Sequence, residues 1–124
     1  MRPRWCYNTS TMSLSKDQRR FSRCVGLLIQ HAYEQGYELT FGDAYRDPRS
    51  HGAMGERIAY GSKNSNHKRR LAVDFNLFIN GKYQASTEAH RPLGEWWEQL
   101  GVDNGYPLRW GGRFNDGNHY EWNR

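Results

Sequence analysis

Apolar positions in the first third of the chain recur at helical spacing. Phe21, Cys24, Val25, Leu28 and Ala32, with Ile29 beside them, share one face, and Arg19, Arg20, Arg23, Gln30 and Glu34 fall on the other. This spacing predicts an amphipathic helix over 15–36, opened by a Ser15/Gln18 capping box and closed by Gly36. The period then shortens to two in Tyr37-Glu38-Leu39-Thr40-Phe41-Gly42-Asp43, which reads as a half-buried strand over 38–43. Pro48 can occupy the first turn of a short helix reaching Tyr60, and Gly61-Ser62-Lys63-Asn64 is a flexible approach to Ser65. From Leu71 to Ile79 the chain is rich in β-formers and ends on Asn80-Gly81, a strong hairpin signal, so 71–79 is a strand and Lys82-Tyr83-Gln84 its returning partner. Leu93, Trp96, Trp97 and Leu100 place a second helix from Pro92 to Leu100, with Gly101 as its stop. Pro107 to Phe114 reads as a turn broken by glycines. His119-Tyr120-Glu121-Trp122 alternates, predicting a short final strand in which His119 and Glu121 share a face. Residues 1–11 carry no period and read as a poorly ordered extension, with Met12 an alternative start.

The expected architecture is α+β: one domain spanning 1–124, with a small, mainly antiparallel sheet and flanking helices. A length of 124 residues leaves room for one core and not two. Apolar residues make up 36% and aromatics 15%, so that core is small and aromatic-rich. The net charge of +5 favours an anionic partner, whether nucleic acid, membrane surface or wall polymer, without choosing among them. No apolar run approaches the ~20 residues of a membrane span, and the basic N-terminus has no apolar stretch behind it, so neither a span nor a secretory signal is expected. These features predict a monomer made in the cytoplasm. Cys24 falls on the apolar face of the first helix and reads as a buried thiol. A bridge to Cys6 would be unusual in a reducing compartment.

The chemistry concentrates in two stretches. In Ser65-Asn66-His67-Lys68-Arg69-Arg70-Leu71-Ala72-Val73-Asp74-Phe75, an imidazole precedes a carboxylate by seven residues, and the carboxylate lies within an apolar strand. A buried charge needs a partner, and a metal ion supplies one; the alternative is that Asp74 simply faces solvent. The second stretch, Asp116-Gly117-Asn118-His119-Tyr120-Glu121-Trp122, offers another imidazole with a carboxylate three residues before it. Catalytic zinc sites take three His or carboxylate ligands and leave a fourth position open. His67, Asp74 and His119 form such a set if their strands are neighbours, and Asp116 could then serve as the base beside the attacking water. Arg46, at the end of the 38–43 strand, could neutralise a developing oxyanion. It reads equally well as a surface arginine paired to Asp43 or Asp47. His90, at the entrance of the second helix, reads as structural or exposed rather than as a ligand.

Taken together, Ser65-x-His67, Asp74, Trp110-Gly111-Gly112 and Asp116-x-x-His119-Tyr120 resemble the D-Ala-D-Ala metallopeptidase family of zinc peptidases. That family includes VanY-type carboxypeptidases and phage L-alanyl-D-glutamate endopeptidases (endolysins), and shares its fold with the hedgehog N-terminal domain. The likeness runs from about Leu14 to Trp122 and takes in Tyr45-Arg46 and Pro92-Leu93-Gly94-Glu95-Trp96-Trp97. It implies Zn2+ held by His67, Asp74 and His119, with Asp116 as general base. Arg46 would bind a substrate carboxylate or polarise the scissile carbonyl, and Ser65 would support the site. The implied substrate is the stem peptide of bacterial peptidoglycan, reached from the cytoplasm through a separate membrane pore. Two positions depart from the pattern: Arg70 replaces a glycine three residues after the first ligand, and Asp116 replaces the Glu of the carboxypeptidase branch. An Asp there resembles the phage endopeptidases. Other readings are a D-Ala-D-Ala carboxypeptidase, a non-catalytic zinc-binding module of the hedgehog type, and a nucleic-acid-binding domain built on Lys68-Arg69-Arg70. The scatter of basic residues argues against the last.

Overall fold

The computed structural model describes residues 13–42 and 66–124. The extension at 1–11, Met12, Cys6, Arg46, the helix expected over 48–60, the 61–64 approach and Ser65 therefore lie outside the described residues.

Helix α1 (Leu14–Glu34) buries Phe21, Cys24, Leu28 and Ala32, the predicted face. Its entry differs from expectation. Ser13, not Ser15, is the N-cap, and its hydroxyl accepts from the Lys16 amide at 3.1 Å. Gln18 is thereby freed from a capping box, and its side chain donates to the Arg69 carbonyl at 2.7 Å, tying α1 to the turn that carries His67. The exit is as expected, with Gly36 at φ 83° just past the C-cap Gln35. Cys24 is a buried free thiol, and burial pushes its pKa up.

Strand β1 (Tyr37–Phe41) ends before Gly42, short of the predicted 38–43. Strand β2 (Ala72–Ile79) turns at Asn80 (φ 53°) and Gly81 (φ 75°) into β3 (Lys82–Gln84). Both turn residues have the positive φ of a type I′ hairpin, the conformation Asn-Gly favours. Strand β2 is central and every pairing is antiparallel: β1 lies opposite 75–79, β3 opposite 77–79, and β5 (His119–Trp122) opposite 72–74. Beyond β5 lies a strand not foreseen, β4 (Leu108–Trp110), inside what reads as a glycine-broken turn. Three residues are too few to display a period, although buried Leu108 and Trp110 flank half-buried Arg109 as a strand requires.

Helix α2 also differs. It spans Thr87–Asn104, from a Ser86 cap to Gly105 at φ 70°, rather than Pro92 to Leu100. Pro92 therefore lies inside the helix, where the first turn is already anchored by the Ser86 hydroxyl accepting from the Ala89 amide at 3.2 Å. Gly101 is no stop signal. A Cβ there would come within 2.7 Å of the Tyr106 carbonyl and 2.9 Å of Leu108 Cβ, so the glycine lets the chain fold back against the helix.

The core lies between α1, α2 and one face of the sheet. Trp97 of α2 meets Phe21 of α1 and Tyr120 of β5 edge-on, at 5.8 and 5.9 Å between ring centres, and Tyr120 in turn lies 6.1 Å from Phe75. Side chains alternate along a strand, so burying Val73, Phe75 and Tyr120 against the helices turns Asp74 and His119 to the opposite face. An α+β architecture with a small antiparallel sheet is thus what the chain forms. No helix among the described residues is long and apolar enough to cross a membrane.

Candidate metal centre

The pairing of β2 with β5 sets Asp74 directly opposite His119. A third group arrives from a single 3₁₀ turn, Asn66–Arg69, which leads into β2 and presents buried His67. Three atoms converge: His67 Nε2 lies 3.2 Å from Asp74 Oδ1 and 3.2 Å from His119 Nδ1, and His119 Nδ1 lies 3.0 Å from Asp74 Oδ1. Donors ~2.0–2.2 Å from a tetrahedrally coordinated ion stand roughly 3.3–3.6 Å apart. The observed separations are within a few tenths of an ångström of that spacing. Two imidazoles and a carboxylate are also the donor set of catalytic zinc, so the residues present fit a metal ion.

Electrostatics hold the cluster together. Burial works against charge on Asp74, but hydrogen bonds to His119 and His67 outweigh it and bring the pKa down to about 2. Burial likewise disfavours a charged His119, but contacts to Asp74 and Glu121 raise its pKa to about 9. In the metal-free molecule His119 is thus an imidazolium between two carboxylates, and a metal must displace the Nδ1 proton to bind there.

Asp116 sits at the rim. Its Oδ2 is 4.0 Å from His119 Nδ1, and its side chain is 56% exposed, open to water in a way the three converging groups are not. The loop that holds it is packed through glycine. A Cβ on Gly111 would lie 2.3 Å from the Asp116 carbonyl and 2.8 Å from His119 Cβ. Within this loop the Asp116 amide donates to the Gly111 carbonyl at 3.0 Å, and the His119 amide to the Asp116 carbonyl at 3.1 Å. The Trp110 indole, which itself leaves no room for a Cβ on Gly94, donates to the Gly117 carbonyl at 2.6 Å. The Trp-Gly-Gly and Asp-Gly pieces of the sequence are thus one packed unit.

A sequence model of the D-alanyl-D-alanine carboxypeptidase family matches residues 59–122, just over half of the 124 residues. The chain belongs to that family. It is therefore a peptidase by descent, of a family of metalloenzymes, as its sequence motifs imply. The fold agrees: Serratia marcescens L-Ala D-Glu endopeptidase ChiX superposes with a TM-score of 0.62 at 15% identity, over 91% of this chain and 88% of that one. No curated protein matches by sequence.

Arg70, three residues after His67, adopts φ 57°, the left-handed region that glycine enters without cost. His90 is buried with its Nε2 3.3 Å from the Gln84 carbonyl and takes no part in the cluster, in line with a structural role. Of the sequence-derived set, His67, Asp74 and His119 meet and Asp116 borders them, whereas Arg46 and Ser65 lie outside the described residues.

One residue of the centre was not assigned a role by sequence reasoning. Glu121 is buried, with Oε1 2.6 Å from His119 Nε2. Its other oxygen accepts from Arg109 at 2.7 Å and from the Asn66 amide at 3.1 Å. The i, i+2 spacing that puts Glu121 on His119's face was visible in the sequence. Its partners Arg109 and Asn66 become neighbours only through the pairing of β4 with β5 and the 3₁₀ turn.

Proposed function

We propose that this chain is a zinc peptidase, one domain over 1–124, that hydrolyses the stem peptide of bacterial peptidoglycan as an L-alanyl-D-glutamate endopeptidase of the phage-endolysin type. The observation that carries the reading is the convergence of His67 Nε2, Asp74 Oδ1 and His119 Nδ1 at 3.0–3.2 Å with a second, solvent-open carboxylate at its edge.

In this reading His67, Asp74 and His119 hold the zinc, which when bound polarises the scissile carbonyl and acidifies water. Asp116 accepts the proton of the attacking water and returns it to the departing amine. Its exposure suits that task, since a base must meet water and substrate as well as the cluster. Arg46 binds a substrate carboxylate or steadies the carbonyl oxygen as charge develops there, and Ser65 supports the site. The net charge of +5 favours approach to an anionic wall, and nucleic acid is not the expected partner.

The endopeptidase branch is favoured by Asp116 in place of Glu. The name of the matching family model favours a second reading, a D-Ala-D-Ala carboxypeptidase. Mass spectrometry of muropeptides after digestion by the purified, zinc-loaded protein separates them. The endopeptidase releases peptides with a new D-glutamate amino terminus, whereas the carboxypeptidase shortens the stem by one D-alanine. An unchanged muropeptide profile at high enzyme concentration would remove both.

A further inference from the structure

The His119 ring has two ends, and only one can face a metal. At the far end, Nε2 meets Glu121 Oε1 at 2.6 Å. An ionised carboxylate can only accept, so Glu121 keeps the Nε2 proton in place, and when a metal takes the position facing Asp74 and His67 it is the Nδ1 proton that leaves. Glu121 is itself held: Oε2 takes Arg109 Nη2 at 2.7 Å and Asn66 Nδ2 at 3.1 Å. Asn66 adjoins His67, and Arg109 is the cross-strand partner of Glu121 on β4. Arg109 in turn lies 5.3 Å from the Phe114 ring centre, on the turn preceding Asp116. The clamp therefore links β4, β5 and the His67 turn.

We propose that Glu121, fixed by Arg109 and Asn66, is a positioning residue that selects the metal-binding tautomer and orientation of His119. The proposal rests on the metal-site reading above. It has a distinctive consequence for Glu121→Gln. Arg109 and Asn66 are both donors, so the carboxamide must offer them its oxygen and turn its NH2 toward His119. Nε2 then becomes an acceptor, and in the neutral ring the proton moves to Nδ1, where the metal should bind. A near-isosteric change is thereby made to favour the wrong tautomer.

The test uses the full chain, with zinc alone as the probe. Zinc affinity is measured by competition with a chromophoric chelator for wild type, Glu121→Gln, Arg109→Met and His119→Ala. The His119 Nε2 proton of the zinc-loaded proteins is followed by NMR. Outer-shell partners of metal-bound histidines typically contribute 10–100-fold in affinity, so Glu121→Gln should weaken zinc binding by about that factor and lose the protected Nε2 proton. Arg109→Met, which keeps the carboxylate but loosens it, should lose a few-fold, and it decides the matter if Glu121→Gln does not fold. Wild-type affinity with a retained Nε2 proton in Glu121→Gln, or wild-type affinity in Arg109→Met, overturns the proposal while leaving the metal site standing. Equal zinc binding by wild type and His119→Ala overturns the metal site, and the proposal with it.

Discussion

Asp116 and His119 stand three residues apart and differ in exposure, 56% against 14% of the side chain. Asp116 is exposed and 4.0 Å from the ligand ring, so replacing its charge should spare the metal. Asp116→Asn is expected to retain wild-type zinc content and melting temperature while losing ~10²–10⁴-fold in peptide hydrolysis, the usual contribution of a general base. If the residue merely caps the Gly117-Asn118 turn, Asn will serve as well and hydrolysis will stay near wild type. His119 governs pH dependence. Its folded pKa of about 9 is above the unfolded value of 6.5. The stabilisation it gives the metal-free protein is thus complete below pH ~6.5 and is lost as pH rises through ~9. At ~1.4 kcal/mol per pH unit this amounts to at most about 3 kcal/mol. The lowered pKa of Asp74 reflects the same contact and is not added to it. Urea unfolding of metal-free protein across this range should show the loss, and His119→Gln should flatten it; a flat wild-type profile would contradict the account. Zinc affinity should change in the opposite direction, rising to pH ~9 as the competing proton leaves.

At the scale of elements, glycine is where sequence and structure diverge most. Gly94 and Gly101 lie inside α2, where a propensity argument reads them as weak points or stops. Both are instead points of close approach: Trp110 packs against Gly94, and the Tyr106 carbonyl and the Leu108 side chain pack against Gly101. Gly94→Ala is the sharp test. In an ordinary helix interior it would stabilise by ~0.5–1 kcal/mol, whereas here the new Cβ would stand 2.0 Å from the Trp110 ring. Overpacking should reverse the sign, to a loss of roughly 1–3 kcal/mol. Because the Trp110 indole holds the Gly117 carbonyl, activity should fall more than stability alone would explain. A Gly94→Ala protein that melts higher than wild type would refute this packing argument. Helix α1, the central strand, its Asn-Gly hairpin and the last strand were legible because each carries its period over enough residues, or a turn with one clear conformation. The limits of α2 were not, since Pro92 resembles a helix start and the Ser86 cap is one short side chain among several. Strand β4 is too brief to announce itself.

For the whole molecule, His67, Asp74 and His119 stood out in the sequence as a candidate set by residue type and spacing, and their meeting rests on one register: Asp74 opposite His119, with the 3₁₀ turn folding His67 back over both. The clamp behind the set, Glu121 with Arg109 and Asn66, depended on contacts across 12 and 55 positions that no local pattern reveals. The face of the sheet turned to α1 and α2 is committed to an aromatic core, leaving the other face to carry chemistry. That division makes a central claim: a single metal ion on that other face is required for hydrolysis. It is tested by stripping the purified protein with chelator and following hydrolysis of peptidoglycan as zinc is added back in known amounts. The account predicts no activity in the stripped protein, a linear rise to one equivalent of zinc per chain, and a plateau thereafter. Full activity in the stripped protein would contradict it.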